Sequence, residues 1–536
     1  MKTQCFKSEP NINLDNYVPV TFLKLFGLIY PYAKDVSIIK IGIAFYVLVG
    51  GLMVEDTVPP LPDKEQNFSE WYNEIIHRAE LVDLRYGVKG FVVYRPNIAT
   101  IMRQTYRLFE DALDEHGHQI CNFPVVIPLE FFQKEAEHIK GFSGEVFWVT
   151  RAGDTELDKA LLLRPTSETA MYPLYSYWIR SYRDLPLKLY QSNTVYRYET
   201  KATKPLIRGR EFYWIEAHDV HRTFEDAVKQ VKEDMKITTD VLHDQLGIPF
   251  LLMERPEWDR FAGAEKSYAF DVLFPDRNVL QIATTHLLGE NFSRAFEITF
   301  EDVDGTKKYG QQTCFGIGIS RIAATIISMH GDNYGLILPF HVAPTQIVIV
   351  PIPKKGQNEL IMEKCEEIYH KLKDRGYRVK LDNSEERPGA KFYHWELLGV
   401  PIRLEVGPKD IEKGMVTVFR RDKRERIQVK EGEVLKIIEQ LREDILKELR
   451  TRRERDLEEN IHEAKSREEF LEIAKTRGGF IKIDFCDNAK CAEVIKEETG
   501  GYEVRGKLYG KEEKPKGNCL ICGGKANSVV YVAKAY

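Results

Sequence analysis

Long apolar runs are nearly missing from this 536-residue sequence. One stands out, the 14 residues of Ile41–Val54, and it falls short of the ~20 residues a membrane-spanning helix needs. No small-residue cleavage site with typical flanks follows it. A signal anchor at this stretch stays open, but residues 1–52 connect to nothing that follows. They are read as translated upstream sequence, with Met53 as the expected start. No membrane partner is expected, and the location expected is cytoplasmic. A surplus of basic charge is missing too: 77 Lys and Arg against 82 Asp and Glu leave a net charge of −5. That excludes a chain gripping nucleic acid over its whole surface, so such a partner has to be held by local patches. Cysteine is scarce, eight residues in all, which excludes a disulfide scaffold. Four of them cluster near the end of the sequence, which fits a metal site in a reducing cytosol.

What is present supports ordinary folding. Hydrophobic residues make up 43% of the chain and charged residues a slightly high 30%, and the length leaves room for about three domains. After a Pro-rich leader at Val58–Pro62, apolar residues at Trp71, Ile75, Ile76, Ala79 and Val82 predict a helix within 68–84. Tyr86–Tyr94 reads as a strand, and a long helix runs through Ile98, Ile101, Met102, Phe109 and Leu113 to near Gly117. Gln119–Ile127 reads as a strand whose Pro124 belongs at an edge or a bulge.

The chemistry gathers further on. Leu161–Met171 passes from strand to helix through Pro165-Thr166-Ser167-Glu168, and by itself that is a capping box. Tyr190–His218 reads as two strands joined by a long basic loop. Alternation puts Leu189, Val195, Arg197 and Glu199 on one face, and Arg208, Arg210, Phe212, Trp214 and Glu216 together on the next strand. An isolated hairpin of this kind is a salt-bridged solvent face. Yet burying an Arg–Glu pair beside an aromatic ring is costly without a purpose, and the arginine fork suits a phosphate. Asp219–Leu246 is a charged amphipathic helix, and Phe261-Ala262-Gly263-Ala264 is small enough for a flat ligand to approach the backbone. In Leu280–Phe292, Gln281 and Thr285 share a face with Leu287, and Thr284 shares the other with His286. Gln312–Met329 is a strand with two glycines entering a helix that Arg321 opens on the ligand side.

From Pro344 strands alternate with helices, predicting a small α/β domain with a mostly parallel sheet. Its charged tracts, Arg420–Arg426 and Glu385–Lys391, read as solvated faces. Residues 431–477 form a charged helical connector. The spacings Cys486-x4-Cys491 and Cys519-x2-Cys522 suit tetrahedral thiolate ligation of a structural Zn2+. Free buried thiols are the alternative.

In this order, Arg164-Pro165-Thr166-Ser167-Glu168, Arg197-Tyr198-Glu199, Arg210-Glu211-Phe212, Thr284-Thr285-His286, Arg321, Arg387-Pro388-Gly389 and the four cysteines resemble the class II aminoacyl-tRNA synthetases. The Arg-Pro-Thr-Ser-Glu tract and the ending Val532–Tyr536 resemble the prolyl-tRNA synthetases of archaeal and eukaryotic type. The resemblance implies an α+β protein. Residues 53–340 would be a class II catalytic core, mainly an antiparallel sheet flanked by helices. Residues 341–445 would be an α/β anticodon-binding domain, and 446–536 a connector helix with a small zinc-binding domain. The helix and strand around Pro124 resemble the motif that builds a homodimer in this family.

The implied activity attaches L-proline to tRNA(Pro) with ATP and Mg2+ through a prolyl-adenylate. Arg197 would hold the α-phosphate and the proline carboxylate, and Arg321 the γ-phosphate. Glu199, Gln281 and Thr284 would serve ATP and its Mg2+. Phe212 would stack on adenine, with Arg208 and Gly209 beside it. Thr166, Glu168, Arg197 and His286 would define the proline site. Arg387 and Lys391 would contact tRNA, and Cys486, Cys491, Cys519 and Cys522 would hold zinc. A synthetase-like binding module and a ligase for another amino acid, such as threonine or histidine, are the rival readings.

Overall fold

The computed structural model describes residues 59–134 and 144–536. The apolar run Ile41–Val54 and the expected start at Met53 lie outside them. Among the described residues no helix is long and apolar enough to cross a membrane.

Helix α1 (Phe68–Arg78) is capped by the Asn67 side chain and buries Trp71, Ile75 and Ile76. Helix α2 (Pro96–Glu115) starts on a proline, buries Ile98, Ile101, Met102, Phe109 and Leu113 along one stripe, and ends ahead of Gly117 at φ +81°. Between them the expected strand 86–94 is mostly turn, because Gly87 and Gly90 bend it with positive φ, and only Val93–Tyr94 pair. The expected strand Gln119–Ile127 is likewise two pieces in different sheets, β1 (Gln119–Ile120) and β2 (Val126–Pro128). Pro124 sits in the gap, where its missing N–H interrupts a ladder.

A three-stranded sheet joins β2 to β3 (Trp148–Ala152) and β4 (Thr155–Leu163), after which the chain turns into α3 (Glu168–Trp178). The main sheet then forms from β5 (Leu187–Tyr196), β6 (Glu211–His221), β7 (Leu251–Glu254), β8 (Lys266–Leu273), β9 (Val279–Gly289) and β10 (Gln311–Ile317). Its order is β7-β8-β9-β10-β6-β5-β1, antiparallel except for the short parallel pair of β1 with β5. The helix expected over 219–246 starts later, because Asp219–His221 end β6; α4 (Phe224–Thr239) then continues as a π-helical stretch, Asp240–Gln245, close to the expected end. Helix α5 (Ile319–His330) follows β10 directly. The apolar stripes of α2, α4 and α5 pack on one face of the sheet and make the largest core. The other face, flanked by α3, is left for ligands.

The next unit contains β11 (Ile347–Pro351), α6 (Asn358–Asp374), β12 (Val379–Leu381), α7 (Pro388–Leu397), β13 (Ile402–Val406), β14 (Met415–Arg420) and β15 (Glu425–Lys430). The order β12-β11-β13-β14-β15 is parallel in its first three strands and antiparallel in its last two, so the sheet is mixed where a mostly parallel one is expected. The difference is the hairpin β14–β15, hidden in the sequence by the charged run Arg420–Arg426. That run is not a plain solvated face. Arg421 is fully buried and donates to both oxygens of Asp332 at 2.8 and 2.6 Å, while Arg420 pairs with Asp422.

A long helix α8 (Val434–Glu459) leads to β16 (Ile461–Glu463), α9 (Arg467–Thr476), β17 (Phe480–Phe485), α10 (Ala489–Thr499), β18 (Tyr502–Leu508) and β19 (Ser528–Lys534). The strand β16 interrupts the expected connector. These strands run in the order β16-β17-β19-β18, and β18 then pairs with β7 through Lys507↔Glu254 and Leu508↔Met253. The C-terminal unit therefore extends the main sheet, making one sheet of 11 strands.

Candidate active site

A cavity of about 430 Å³ opens on the free face of the main sheet, and all the residues expected at the catalytic site border it. Its acidic end lies where α3 begins. Thr166 donates to Glu168 at 2.5 Å, and the Cys314 thiol donates to Glu168 at 3.2 Å. Ser167, the residue before the helix, makes no capping hydrogen bond. Its hydroxyl and its backbone N–H both go to Glu216, the latter at 3.1 Å. The capping-box reading of this tract therefore fails.

Glu216 is fully buried on β6 and also accepts from Gln191 at 3.0 Å, Asn193 at 2.8 Å and His218 at 3.1 Å. With a longer contact from the Thr166 hydroxyl at 3.4 Å, six donors surround one carboxylate and meet its desolvation cost. They fix the start of α3 and so aim Thr166 and Glu168 at the cavity. Burial opposes charge on His218, but Glu168 and hydrogen-bonded Glu216 outweigh it and raise its pKa. The sequence reading places Glu216 on the hairpin face without this role. The signal was there: a carboxylate alternating with Trp214 and His218 on a strand otherwise buried.

His286 is buried beside this end, hydrogen-bonded through Nδ1 to Ser267 Oγ at 2.8 Å and stacked on Phe261 with ring centres 4.8 Å apart. Burial holds its pKa down to about 4, so it is neutral at ordinary pH. The expected alternation put Gln281 on the opposite face from Thr284 and His286. The structure puts all three on the cavity. The reason is a β-bulge: Phe270 faces Ala283 but Asp271 faces Gln281, so Ile282 is the extra residue and the alternation changes sign there.

The other end is basic. Arg197 lies just past the end of β5, and Arg208 and Arg210 lie in the loop before β6, so none of the three belongs to the regular strands as expected. Arg197 donates to the Pro165 carbonyl at 3.0 Å, and its guanidinium lies 5.2 Å from the Phe212 ring centre. Arg321, in the first turn of α5, donates to the Gln281 carbonyl at 2.9 Å and the Ile207 carbonyl at 3.2 Å. Burial, then the charges of Arg197, Arg208 and Arg505, lowers its pKa to about 10. Arg321 thus lies within reach of three other cations, and a polyphosphate supplies the anions that suit this end. Glu199 stands 3.7 Å from Arg208, which also donates to the backbone oxygen of Tyr536. Gly209 is required by close approach, since a Cβ there would meet the Glu211 carbonyl at 2.9 Å.

Arg387 and Lys391, expected to contact RNA, separate. Arg387 is exposed ahead of α7. Lys391 is buried, donating to the Asp382 carbonyl at 2.9 Å with the Asp382 carboxylate 3.6 Å away, so its ammonium supports the loop and does not reach a surface ligand.

Cys486, Cys491, Cys519 and Cys522 converge, their sulfurs all within 4.8 Å of one another. The Cys486–Cys491 and Cys486–Cys522 separations are 3.5 and 3.8 Å. Four sulfurs about 2.3 Å from a tetrahedral zinc would stand about 3.8 Å apart, so these residues fit that ion.

Three family models match the chain: "tRNA synthetase class II core domain (G, H, P, S and T)" over residues 147–330, "Anticodon binding domain" over 346–441, and "Prolyl-tRNA synthetase, C-terminal" over 467–536. Proline--tRNA ligase of Thermofilum pendens is 52% identical over 475 residues, 88% of this chain and 98% of that protein. The Pyrococcus abyssi proline--tRNA ligase is 45% identical with the same coverage. The structure of Giardia lamblia prolyl-tRNA synthetase in complex with prolyl-adenylate matches at 37% identity with a TM-score of 0.86, covering 89% of this chain and 100% of that one. Sequence, fold and cavity agree: the chain belongs to the prolyl-tRNA synthetases, with a class II core, an anticodon-binding domain and the C-terminal domain of that family.

Proposed function

We propose that this chain attaches L-proline to tRNA(Pro) in two ATP-driven steps, with the cavity residues in the following roles. The secondary ammonium of proline sits between Thr166 and Glu168, an acceptor and a negative charge, while neutral His286 walls the ring without repelling that cation. A proline carboxylate oxygen attacks the α-phosphorus of ATP, the bond to the β-phosphate oxygen breaks, and pyrophosphate leaves. Arg197 holds the α-phosphate and the proline carboxylate together, and Arg321 takes the γ-phosphate. The ribose 3′-hydroxyl of the terminal tRNA nucleotide then attacks the prolyl carbonyl and AMP departs. No enzyme nucleophile is needed, so positioning and charge stabilisation carry the rate.

Phe212 stacks on adenine, with Arg208 and Gly209 alongside. Glu199 offers the carboxylate that Mg2+ bound to phosphates usually takes from a protein, and Thr284 adds a hydroxyl. Magnesium would neutralise phosphate charge there. The four cysteines hold a structural zinc with no open position for chemistry. Arg387 is the surface cation on the anticodon-binding domain offered to tRNA. Helix α2 with the strands around Pro124 is the surface for a second copy, and the protein works in the cytoplasm.

The observation that carries this reading is the one cavity with a buried Thr166–Glu168 pair at one end and Arg197, Arg208 and Arg321 at the other. Amino-acid-dependent ATP–pyrophosphate exchange tests it. Exchange supported best by proline is expected. No exchange with any amino acid would point to a binding module, and a preference for threonine or histidine to a different ligase.

A further inference from the structure

Beside the cavity, and bordering it through Arg255, lies an ion cluster that the catalytic scheme leaves unused. Asp271 on β8 is fully buried, and two arginines 6% exposed close on it. Arg255 donates to both its oxygens at 2.9 and 2.8 Å. Arg505, from the C-terminal unit, donates to the same two oxygens at 2.9 and 3.1 Å. Arg255 also donates to the Arg505 carbonyl at 2.6 Å and to Gln281 Oε1 at 2.7 Å. The chain of contacts thus runs Arg505–Asp271–Arg255–Gln281 and ends on the cavity.

Both ends of this chain are built by irregularities in the sheet. In the β18–β19 ladder Val504 faces Val532 and Gly506 faces Tyr531, so Arg505 is the bulged residue. At the other end, the bulge at Ile282 brings Gln281 opposite Asp271. Bulges re-aim side chains: one sends Arg505 to the Asp271 carboxylate, and the other sends Gln281 to Arg255, which holds that same carboxylate. Gly506 lets the strands close: a Cβ there would lie 2.1 Å from the Glu254 carbonyl. Two buried guanidiniums on one carboxylate bear a heavy desolvation cost, and packed apolar side chains could replace them with little loss of stability. Placement is what the cluster supplies.

The placement has a chemical result. A guanidinium can only donate, so Arg255 takes the carbonyl end of the Gln281 amide and leaves its NH₂ end for a ligand. We propose that Arg505 and Asp271 are positioning residues which, through Arg255, present Gln281 to the nucleotide as a hydrogen-bond donor to a ribose or phosphate oxygen. The inference rests on the function proposed above and names how the C-terminal unit enters it.

A double-mutant cycle tests it, using proline-dependent ATP–pyrophosphate exchange by the full chain. Exchange by the unaltered protein is measured first; its absence would overturn the function itself. Arg505→Met, which keeps the backbone carbonyl, is expected to raise KM for ATP about tenfold, mid-range for groups sharing a hydrogen-bond network. KM for proline and the zinc content should stay unchanged. In a Gln281→Ala background the same change should raise KM for ATP by less than about twofold, because the pair is coupled. Arg505→Lys, which keeps the charge, should recover part of the loss. If Arg505→Met melts below the assay temperature, Arg505→Lys is carried through the same cycle. Independent effects of Arg505 and Gln281, or an equal rise in KM for proline, would overturn the proposal.

Discussion

Arg197 and Arg321 reach the cavity from separate motifs, and each is held by backbone carbonyls that fix its direction. Such preset donors act where charge develops, and losing one typically costs ~3–4 kcal/mol, or about 10²–10³ in rate. Arg197→Ala and Arg321→Ala are each expected to lower proline-dependent exchange by that factor with little change in thermal melting. Near-normal exchange by either would remove it from the phosphate site. His330 tells a different story at the same scale. It is buried and donates through Nε2 to the Leu246 carbonyl at 3.0 Å. Burial first, then nearby Arg453 and Lys64, lowers its pKa to about 3. The unfolded chain therefore takes up this proton first, near the ordinary value of about 6.5. The stability it contributes is full above that pH and lost as pH falls towards 3. Melting temperature measured from pH 7 down to 4 should fall less steeply for His330→Gln than for the unaltered chain. Equal slopes would place the acid sensitivity elsewhere.

At the scale of elements, the cysteine knuckles carry the clearest prediction. One tightly held zinc per chain is expected from elemental analysis of protein purified without chelator. Cys519→Ser combined with Cys522→Ser should abolish it. Unchanged zinc in that variant would mean the ion sits elsewhere. The convergence of the four cysteines was legible because cysteine pairs mark themselves by spacing, and the apolar stripe of α2 was legible by period. The hairpin β5–β6 was found where expected, with Phe212, Trp214 and Glu216 sharing its inner face. What escaped was whatever depends on a break in period. The bulge at Ile282 moved Gln281 across the sheet, and alternation counted from sequence cannot see an unpaired residue. Buried charge escaped as well. Lys391 and Arg421 look like surface cations until their partners, Asp382 and Asp332, are brought in from elsewhere in the chain.

For the whole molecule, the proline site proposed above raises a question of accuracy. A pocket that excludes by size gains only ~1–3 kcal/mol against a ligand missing a methylene. Alanine and cysteine should therefore support measurable exchange. Between β6 and β10 the described chain forms α4, β7, β8 and β9, then a short helix Asn291–Ala295 and a hairpin of Thr299–Glu301 with Lys307–Tyr309, and holds no additional domain. Alanyl-tRNA(Pro) given to the purified protein should consequently lose its amino acid no faster than in buffer. Faster release would reveal a hydrolytic site on this chain.

The 11-stranded sheet also sets a schedule. Arg505 meets Asp271 across 234 positions of sequence, and β7 gains its partner β18 across a similar span. At ~5–20 residues per second of synthesis, that is a wait of roughly 12 to 47 s. Through that interval the nascent catalytic sheet has an open edge at β7, the kind of edge that pairs with stray strands. The wall carrying Gln281 lacks its support for just as long. An enzyme of translation thus emerges from the ribosome with this edge unpaired, and Asp271 waits for its second arginine until 234 further residues have been made.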